Sequence, residues 1–218
     1  MLFKNYHFER KKVFTSKKIQ ELTAFYEEYT LYGSYPKIVL TPEVEKKEKY
    51  LQQIIDTYVK KDIRNLGNIR NISAFNKLME ILASQSGKLL NVSELASTTG
   101  INQITLVNYL DLLENTFIIK RITPFHKNLR SELYKNPKLF LLDTGMMHLL
   151  WMKEFPKVIS GEAFETIIFT ELVKLGARIN FWRTTAQQEV DFILPEKELY
   201  AIEVKLNFAG SALGGLNS

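Results

Sequence analysis

The segment Glu189–Lys205, EVDFILPEKELYAIEVK, constrains the fold more than any other stretch of the chain. Apolar and polar residues alternate on both sides of a tight turn, the two-residue period of strands with one buried face. In the first strand Glu189, Asp191 and Ile193 share a face, with Val190, Phe192 and Leu194 opposite. In the second, Ala201, Glu203 and Lys205 share a face, with Ile202 and Val204 opposite. Neighbouring strands lie about 4.8 Å apart, so Asp191 and Glu203 are spaced to hold one hard cation together. Mg²⁺ prefers oxygen ligands and keeps several waters. Bound beside a phosphodiester, it lowers the pKa of a water and neutralises developing charge. Lys205 would orient that water or stabilise the charge. The same pattern also fits an ordinary hairpin whose wet face carries cross-strand Glu and Lys. The residues alone leave both readings open.

Upstream of the hairpin, GEAFE at Gly161–Glu165 opens a helix that reaches about Leu175. Phe164, Ile167, Ile168, Leu172 and Leu175 supply its apolar face, and Glu165 and Glu171 are its candidates to face a site. FWRT, Phe181–Thr184, reads as a further strand. Asp143 in LLDTGM is expected to close a turn at a strand end. His7, His126 and His148 are scattered, and no Gly-x-Ser-x-Gly elbow occurs, so serine-triad chemistry has no support.

The middle of the chain carries a second plan. In NVSELASTTGINQITLVNYLDLLENTFIIKRITPF, Ser93 is expected to cap a short helix holding Leu95 and Ala96. Thr99-Gly100-Ile101 forms a turn in which glycine permits a positive φ. A second helix spans Asn102 to Leu113, with Ile104, Val107, Leu110 and Leu113 inward. The runs FIIKRI and LFLLD then supply two strands. This is a helix-turn-helix with a wing, whose second helix can enter a DNA groove. Asn102, Gln103, Thr105 and Asn108 are its candidate base-reading residues, since Asn and Gln suit adenine edges. Residues 102–116 hold no Lys or Arg, however, while Asp111 and Glu114 are acidic. Backbone affinity would fall to the wing: Lys120, Arg121, His126, Lys127, Arg130, Lys135 and Lys138. A structural spacer or subunit contact fits the same residues.

The N-terminal third reads as helical. A helix is expected near Lys17–Leu31, followed by a GSYP turn. Thr41-Pro42-Glu43 looks like a helix start. That helix should run to about Lys60, with Tyr50, Leu51, Ile54, Ile55, Tyr58 and Val59 inward and Lys46, Lys47 and Lys49 solvated. Ile72–Ala83 forms another, burying Phe75, Leu78, Met79 and Leu82, with Gly67 and Gly87 as breaks.

Composition narrows the function classes. The 218 residues contain no cysteine, which excludes disulfides, thiolate metal sites and cysteine nucleophiles. A net charge of +5 permits an acidic partner without requiring one. No apolar run approaches 18 residues, the length of a membrane span, and the charged start is unlike a signal peptide. Cytoplasmic location is the expectation, and no membrane partner is.

Taken in order, YGSYPKIVL, YVKKDI, NVSELASTTGINQITLVNYLDLLENTFII, PFHKNLRSELYKNPKLFLLDTGM, GEAFE, FWRT, EVDFI and AIEVK resemble one family. It is the group of archaeal and bacterial AAA+ ATPases that end in a winged helix and a PD-(D/E)XK nuclease-like domain. The resemblance runs from about Leu22 to Lys205. It implies an α+β chain: residues 1–40 a remnant of the ATPase lid region, 41–145 a helical segment and winged helix-turn-helix, and 146–218 a shortened PD-(D/E)XK-like α/β domain. It puts Glu165, Asp191, Glu203 and Lys205 on the nuclease-like signature, with Mg²⁺ as the cofactor. Nucleic acid and an ATPase subunit or other protein are the implied partners. The chain departs from the family in lacking a Gly-x-x-x-x-Gly-Lys-Ser/Thr loop, so ATP is not expected here. A non-catalytic docking module is the alternative to a Mg²⁺-dependent endonuclease.

Overall fold

The computed structural model describes residues 15–67, 69–125, 136–184, 188–196 and 198–206. Its architecture is mixed α/β: helices enclose two small three-stranded antiparallel sheets. The helices are α1 (Ser16–Tyr32), α2 (Pro36–Val39), α3 (Val44–Ile54), α4 (Arg64–Leu66), α5 (Ile72–Ser84), α6 (Val92–Thr99), α7 (Gln103–Asn115), α8 (Thr144–Met152) and α9 (Gly161–Lys174). A π-helical stretch, Ile55–Ile63, joins α3 to α4. The strands are β1 (Lys88–Leu89), β2 (Ile119–Ile122), β3 (Lys138–Leu141), β4 (Asn180–Arg183), β5 (Glu189–Pro195) and β6 (Leu199–Ile202).

Helix boundaries follow capping chemistry, not always at the expected residue. Thr15 caps α1 and Gly33, at φ 89°, ends it. Within GSYP, Pro36 starts the short α2, because its missing N–H costs nothing in a first turn. Thr41 does not cap α3. Its hydroxyl donates to the Lys37 carbonyl at 2.6 Å, and the helix opens at Val44 without a side-chain cap. The cap of α6 is Asn91, whose side chain accepts from Glu94 N, not Ser93. Gly100 sits in the left-handed region at φ 71° and closes α6, as the turn requires.

Helix α7 buries Leu106, Leu110 and Leu113, whereas Ile104 is 75% exposed and Val107 38%. Two apolar stripes overlap on this helix, sharing Leu110 and Leu113. Packing selects the stripe through Leu106. Lys47 also departs from expectation. It is 1% exposed: its ammonium donates to Glu28 at 2.7 Å and to the Ile38 carbonyl at 2.9 Å, near the Tyr32 ring. Tyr58 and Leu175, expected inward, are exposed. Asp143 does more than close a turn. It caps α8 by accepting from Met146 N at 2.8 Å, and it accepts from Ser34 N at 2.7 Å.

The first sheet has the order β1-β3-β2, with β3 central. Register pairs Ile119 with Leu141 and Lys88 with Leu139. The second has the order β4-β5-β6. Strand β3 is buried on both faces, and alternation divides it between two cores. Leu139 and Leu141 join the larger core with Leu51, Phe75, Leu78 and Leu110. Phe140 joins Ile122, Phe169, Phe181 and Phe192 in the smaller one. There the Phe140 and Phe169 rings stack at 4.2 Å. Each buried side chain of this size contributes about 1.5–3 kcal/mol. The backbone links the two sheets as well: Phe125 N donates to Phe181 O at 2.6 Å, and Pro124 bridges Phe181 in parallel.

Candidate functional site

Three elements bring the carboxylates together. Alternation along β3 puts Lys138 on the face of Phe140, toward α9 and the second sheet. Helix α9, capped by Ser160, presents Glu165 there. Its neighbour Thr166 is fixed by Ser86, whose hydroxyl lies 2.9 Å from Thr166 Oγ1 and accepts from Leu141 N. Strand β5 contributes Glu189 and Asp191. The ladder to β6 pairs Phe192 with Ile202, so continuing the same register sets Asp191 opposite Glu203. The strand itself stops at Ile202, short of the expected Lys205. There the Asp191 carboxylate takes over from the ladder and accepts from Val204 N at 2.7 Å.

At the centre is Lys138, 3% exposed and ion-paired to Glu165 at 3.2 Å and to Glu189. Arg183 reaches the other oxygen of Glu189 at 3.3 Å. Lys138 also stands 5.6 Å from the centre of the Phe181 ring. Gly87, at φ 82°, makes room for Glu165: a Cβ there would stand 3.2 Å from Glu165 Oε2. Lys205 pairs with Glu203 at 2.7 Å, and Glu203 Oε2 is buried with no hydrogen-bond partner.

Burial dominates the electrostatics. Desolvation pushes the Glu165 carboxyl up to about 7, against the pull of Lys138 and with help from Asp191. It raises Asp191 too, opposed by the Val204 N–H and the Lys138 charge. The Glu203 carboxylate holds the Lys205 ammonium above its usual range, with Asp191 and Glu165 adding to the effect. Glu165 thus feels Asp191, and Lys205 feels Glu203, Asp191 and Glu165. Asp191 and Glu203 are the pair that could hold a cation, and the orphaned Glu203 oxygen fits that role. Among the described residues no group of three or more His, Asp or Glu is spaced to bind a metal.

Sequence reasoning assigned Lys138 to the wing. The signal for its real position was the alternation in KLFLL, which puts it on the Phe140 face, away from Leu139 and Leu141.

The residues expected to meet nucleic acid form a separate group. Asn102 caps α7, accepting from Ile104 N at 2.9 Å. Gln103 donates to Ser93 at 3.3 Å. Asn102, Thr105 and Asn108 line a groove of about 610 Å³ together with Arg70 and Asn71. Arg121 is tied down: it reaches Glu114 and Asp111, each at 2.6 Å, and Lys120 approaches Glu114 at 3.4 Å. The acidic residues of α7 thus neutralise the cations of β2. His126, Lys127, Arg130 and Lys135 lie outside the described residues.

Residues 23–157 match the family described as Domain of unknown function (DUF8612). The chain belongs to that family. In this DUF8612 protein, residues 160–216 match a second description, Domain of unknown function (DUF4143). An uncharacterized protein of Haemophilus influenzae is 28% identical over 173 residues, covering 77% of this chain and 42% of its own length. One of Mycobacterium tuberculosis is 25% identical over 185 residues, covering 80% and 42%. One of Methanocaldococcus jannaschii is 26% identical over 215 residues, covering 94% and 47%. The DUF8612 chain thus spans less than half the length of these relatives. No solved structure matches it. Among its described residues no helix is long and apolar enough to cross a membrane.

Proposed function

We propose that this chain is the nucleic-acid-associated region of a larger AAA+ ATPase-family protein. In this reading a winged helix-turn-helix is joined to a PD-(D/E)XK nuclease-like domain with a Mg²⁺ site. The helix-turn-helix assignment is supported by the order α5, β1, α6, the Gly100 turn, α7, β2, β3 and by the central place of β3 in its sheet. The nuclease-like assignment is supported by α9 with β4 to β6 and by the gathering of Glu165, Asp191, Glu203 and Lys205. The observation that carries the site is the buried, unpartnered Glu203 Oε2, one residue beyond the Phe192–Ile202 pair that ends the ladder next to Asp191. A buried carboxylate oxygen left without a donor costs about 1–3 kcal/mol; the Lys205 ammonium on the other oxygen of Glu203 offsets part of this, and a water or a cation at Oε2 would relieve the rest.

Asp191 and Glu203 would hold the ion, and Lys205 would keep its ammonium beside Glu203 at the phosphodiester. When bound, Mg²⁺ supplies neutralising charge and an acidified water. Incubation with supercoiled and single-stranded DNA in Mg²⁺ or Mn²⁺ tests the reading. Cutting is expected from the parent, with a loss of at least about a hundredfold in Asp191→Asn. Absence of cutting, or equal cutting by the variant, removes the nuclease.

One observation favours a second reading, a non-catalytic docking module. Lys138 already neutralises Glu165 and Glu189, and Arg121 is committed within its own wing. A salt titration separates the two for DNA: each phosphate neutralised adds about −0.9 to the log–log slope. A slope near zero would leave protein contacts alone.

A further inference from the structure

Helix α1 is only half docked. Its second half packs: Tyr26 stands edge-on to Phe164 with ring centres 6.1 Å apart, and Tyr29 donates to Glu171 at 2.6 Å. Its first half does not, and every residue from Ser16 to Phe25 is exposed. So short a stretch of uncovered helix is marginal in water, where isolated helices below about 12–15 residues rarely hold. The pattern there is not that of a solvated spacer. Ile19, Leu22, Tyr26 and Tyr29 follow the 3-4-3 spacing of a helix-pairing seam. Helix α9 covers the Tyr26–Tyr29 end of this seam, while Ile19 and Leu22 are 52% and 41% exposed. Phe25, 59% exposed, borders them. A groove of about 540 Å³ continues from Leu22 and Phe25 along α1 to Tyr32 and Val39.

Charge selects the occupant. The first turn of α1 carries Lys17 and Lys18, and its later turns carry Glu27 and Glu28. A helix basic at one end and acidic at the other, with an apolar seam between, is complementary to its own copy when the copy is reversed. We propose that two copies of this chain pair through the first halves of α1, antiparallel, about a twofold axis at Leu22. Leu22 then meets the partner's Leu22, Ile19 lies beside the partner's Tyr26, and the Lys17–Lys18 turn approaches the partner's Glu27–Glu28 turn. The overlap from Ser16 to Glu28 is about 18 Å of helix. Lys18 already pairs with Glu21 at 3.1 Å, and Glu28 with Lys47 at 2.7 Å. The charges therefore set the direction of pairing, and the apolar seam supplies the affinity. One helix pair is a small contact, so association belongs in the micromolar range. The pairing does not depend on the nuclease-like reading.

Sedimentation equilibrium of the full chain measures the association. The parent should pass from monomer to dimer, and Leu22→Glu should raise the dissociation constant at least about tenfold, since two carboxylates would meet at the axis. Leu22 is exposed in the single copy, so at low concentration this variant should keep the parent's unfolding temperature. The chain has no cysteine, so a single introduced one reports the geometry. A disulfide needs Cα atoms within about 7 Å. Leu22→Cys should oxidise to a covalent dimer, whereas Ser16→Cys, far from its own copy in an antiparallel pair, should not. A parent that stays monomeric at every concentration overturns the proposal and gives the face to another segment or another protein. A dimer that Leu22→Glu leaves intact overturns it too, because the contact then lies elsewhere. Equal cross-linking of Leu22→Cys and Ser16→Cys overturns the antiparallel arrangement.

Discussion

Single residues in this protein are defined by what burial demands of their charges. Lys46 and Lys47 are neighbours in one lysine run. Lys46 is 58% exposed beside Glu43, whereas Lys47 is buried against Glu28 and the Ile38 carbonyl. Lys47→Ala removes packing and takes one donor from that carbonyl, which keeps the Thr41 N–H at 3.1 Å, so a loss of about 1–3 kcal/mol is expected. Lys46→Ala should stay within about 0.5 kcal/mol. Urea unfolding of both variants checks the contrast. Glu165 gives a pH signature. Its folded carboxyl holds a proton to about 7, while the unfolded one releases it near 4.5. The raised value means that Glu165 adds stability below pH 4.5, and that this is lost as pH rises through about 7. The loss is at most about 3 kcal/mol. In chelator-containing buffer the parent should lose more stability than Glu165→Gln between pH 4.5 and 8. Parallel pH profiles for the two would show that Glu165 is not responsible.

Elements show where the sequence was legible. The hairpin was readable because strand period and side-chain chemistry agreed: Val190 and Phe192 are buried, and Phe192 pairs with Ile202 as the alternation demands. The inward face of α5 was readable for the same reason. Helix α7 was readable as a helix but not in rotation, because two apolar stripes compete and only the neighbouring elements decide. Ile104→Gln should therefore cost less than about 0.5 kcal/mol, against about 2–5 for Leu106→Ala. Thermal unfolding of the pair checks the assignment. Strand β1 was missed because two residues carry no period. Lys138 was missed at the site because its partners lie 27 and 51 positions onward on other elements. Only the fold brings β3 against α9 and β5. Helix α8 adds a packing constraint of its own. A Cβ at Gly145 would stand 2.1 Å from the Tyr32 carbonyl oxygen, so Gly145→Ala must push α1 and α8 apart. A loss of about 1–3 kcal/mol is expected, with faster amide exchange in α1 as the local readout.

At the scale of the whole molecule, β3 is the shared wall between two cores, and α1 is a clasp around the C-terminal half. Asp143 holds Ser34 across 109 positions, His148 Nδ1 meets the Leu31 carbonyl across 117, and Tyr29 donates to Glu171 across 142. Asp143→Ala should loosen α1 and unfold the protein at lower denaturant, since it strands the N–H groups of Ser34 and Met146 together. The clasp also carries a cost in time. On the ribosome, the residues of α1 are made long before Asp143, His148 and Glu171 exist. At roughly 5–20 residues per second, that interval is on the order of ten seconds. Throughout it, Tyr26 and Tyr32 lack Phe164 and Phe155, the later rings they pack against. A nascent chain of this protein is therefore a client for any factor that shields apolar helices until synthesis has passed α9.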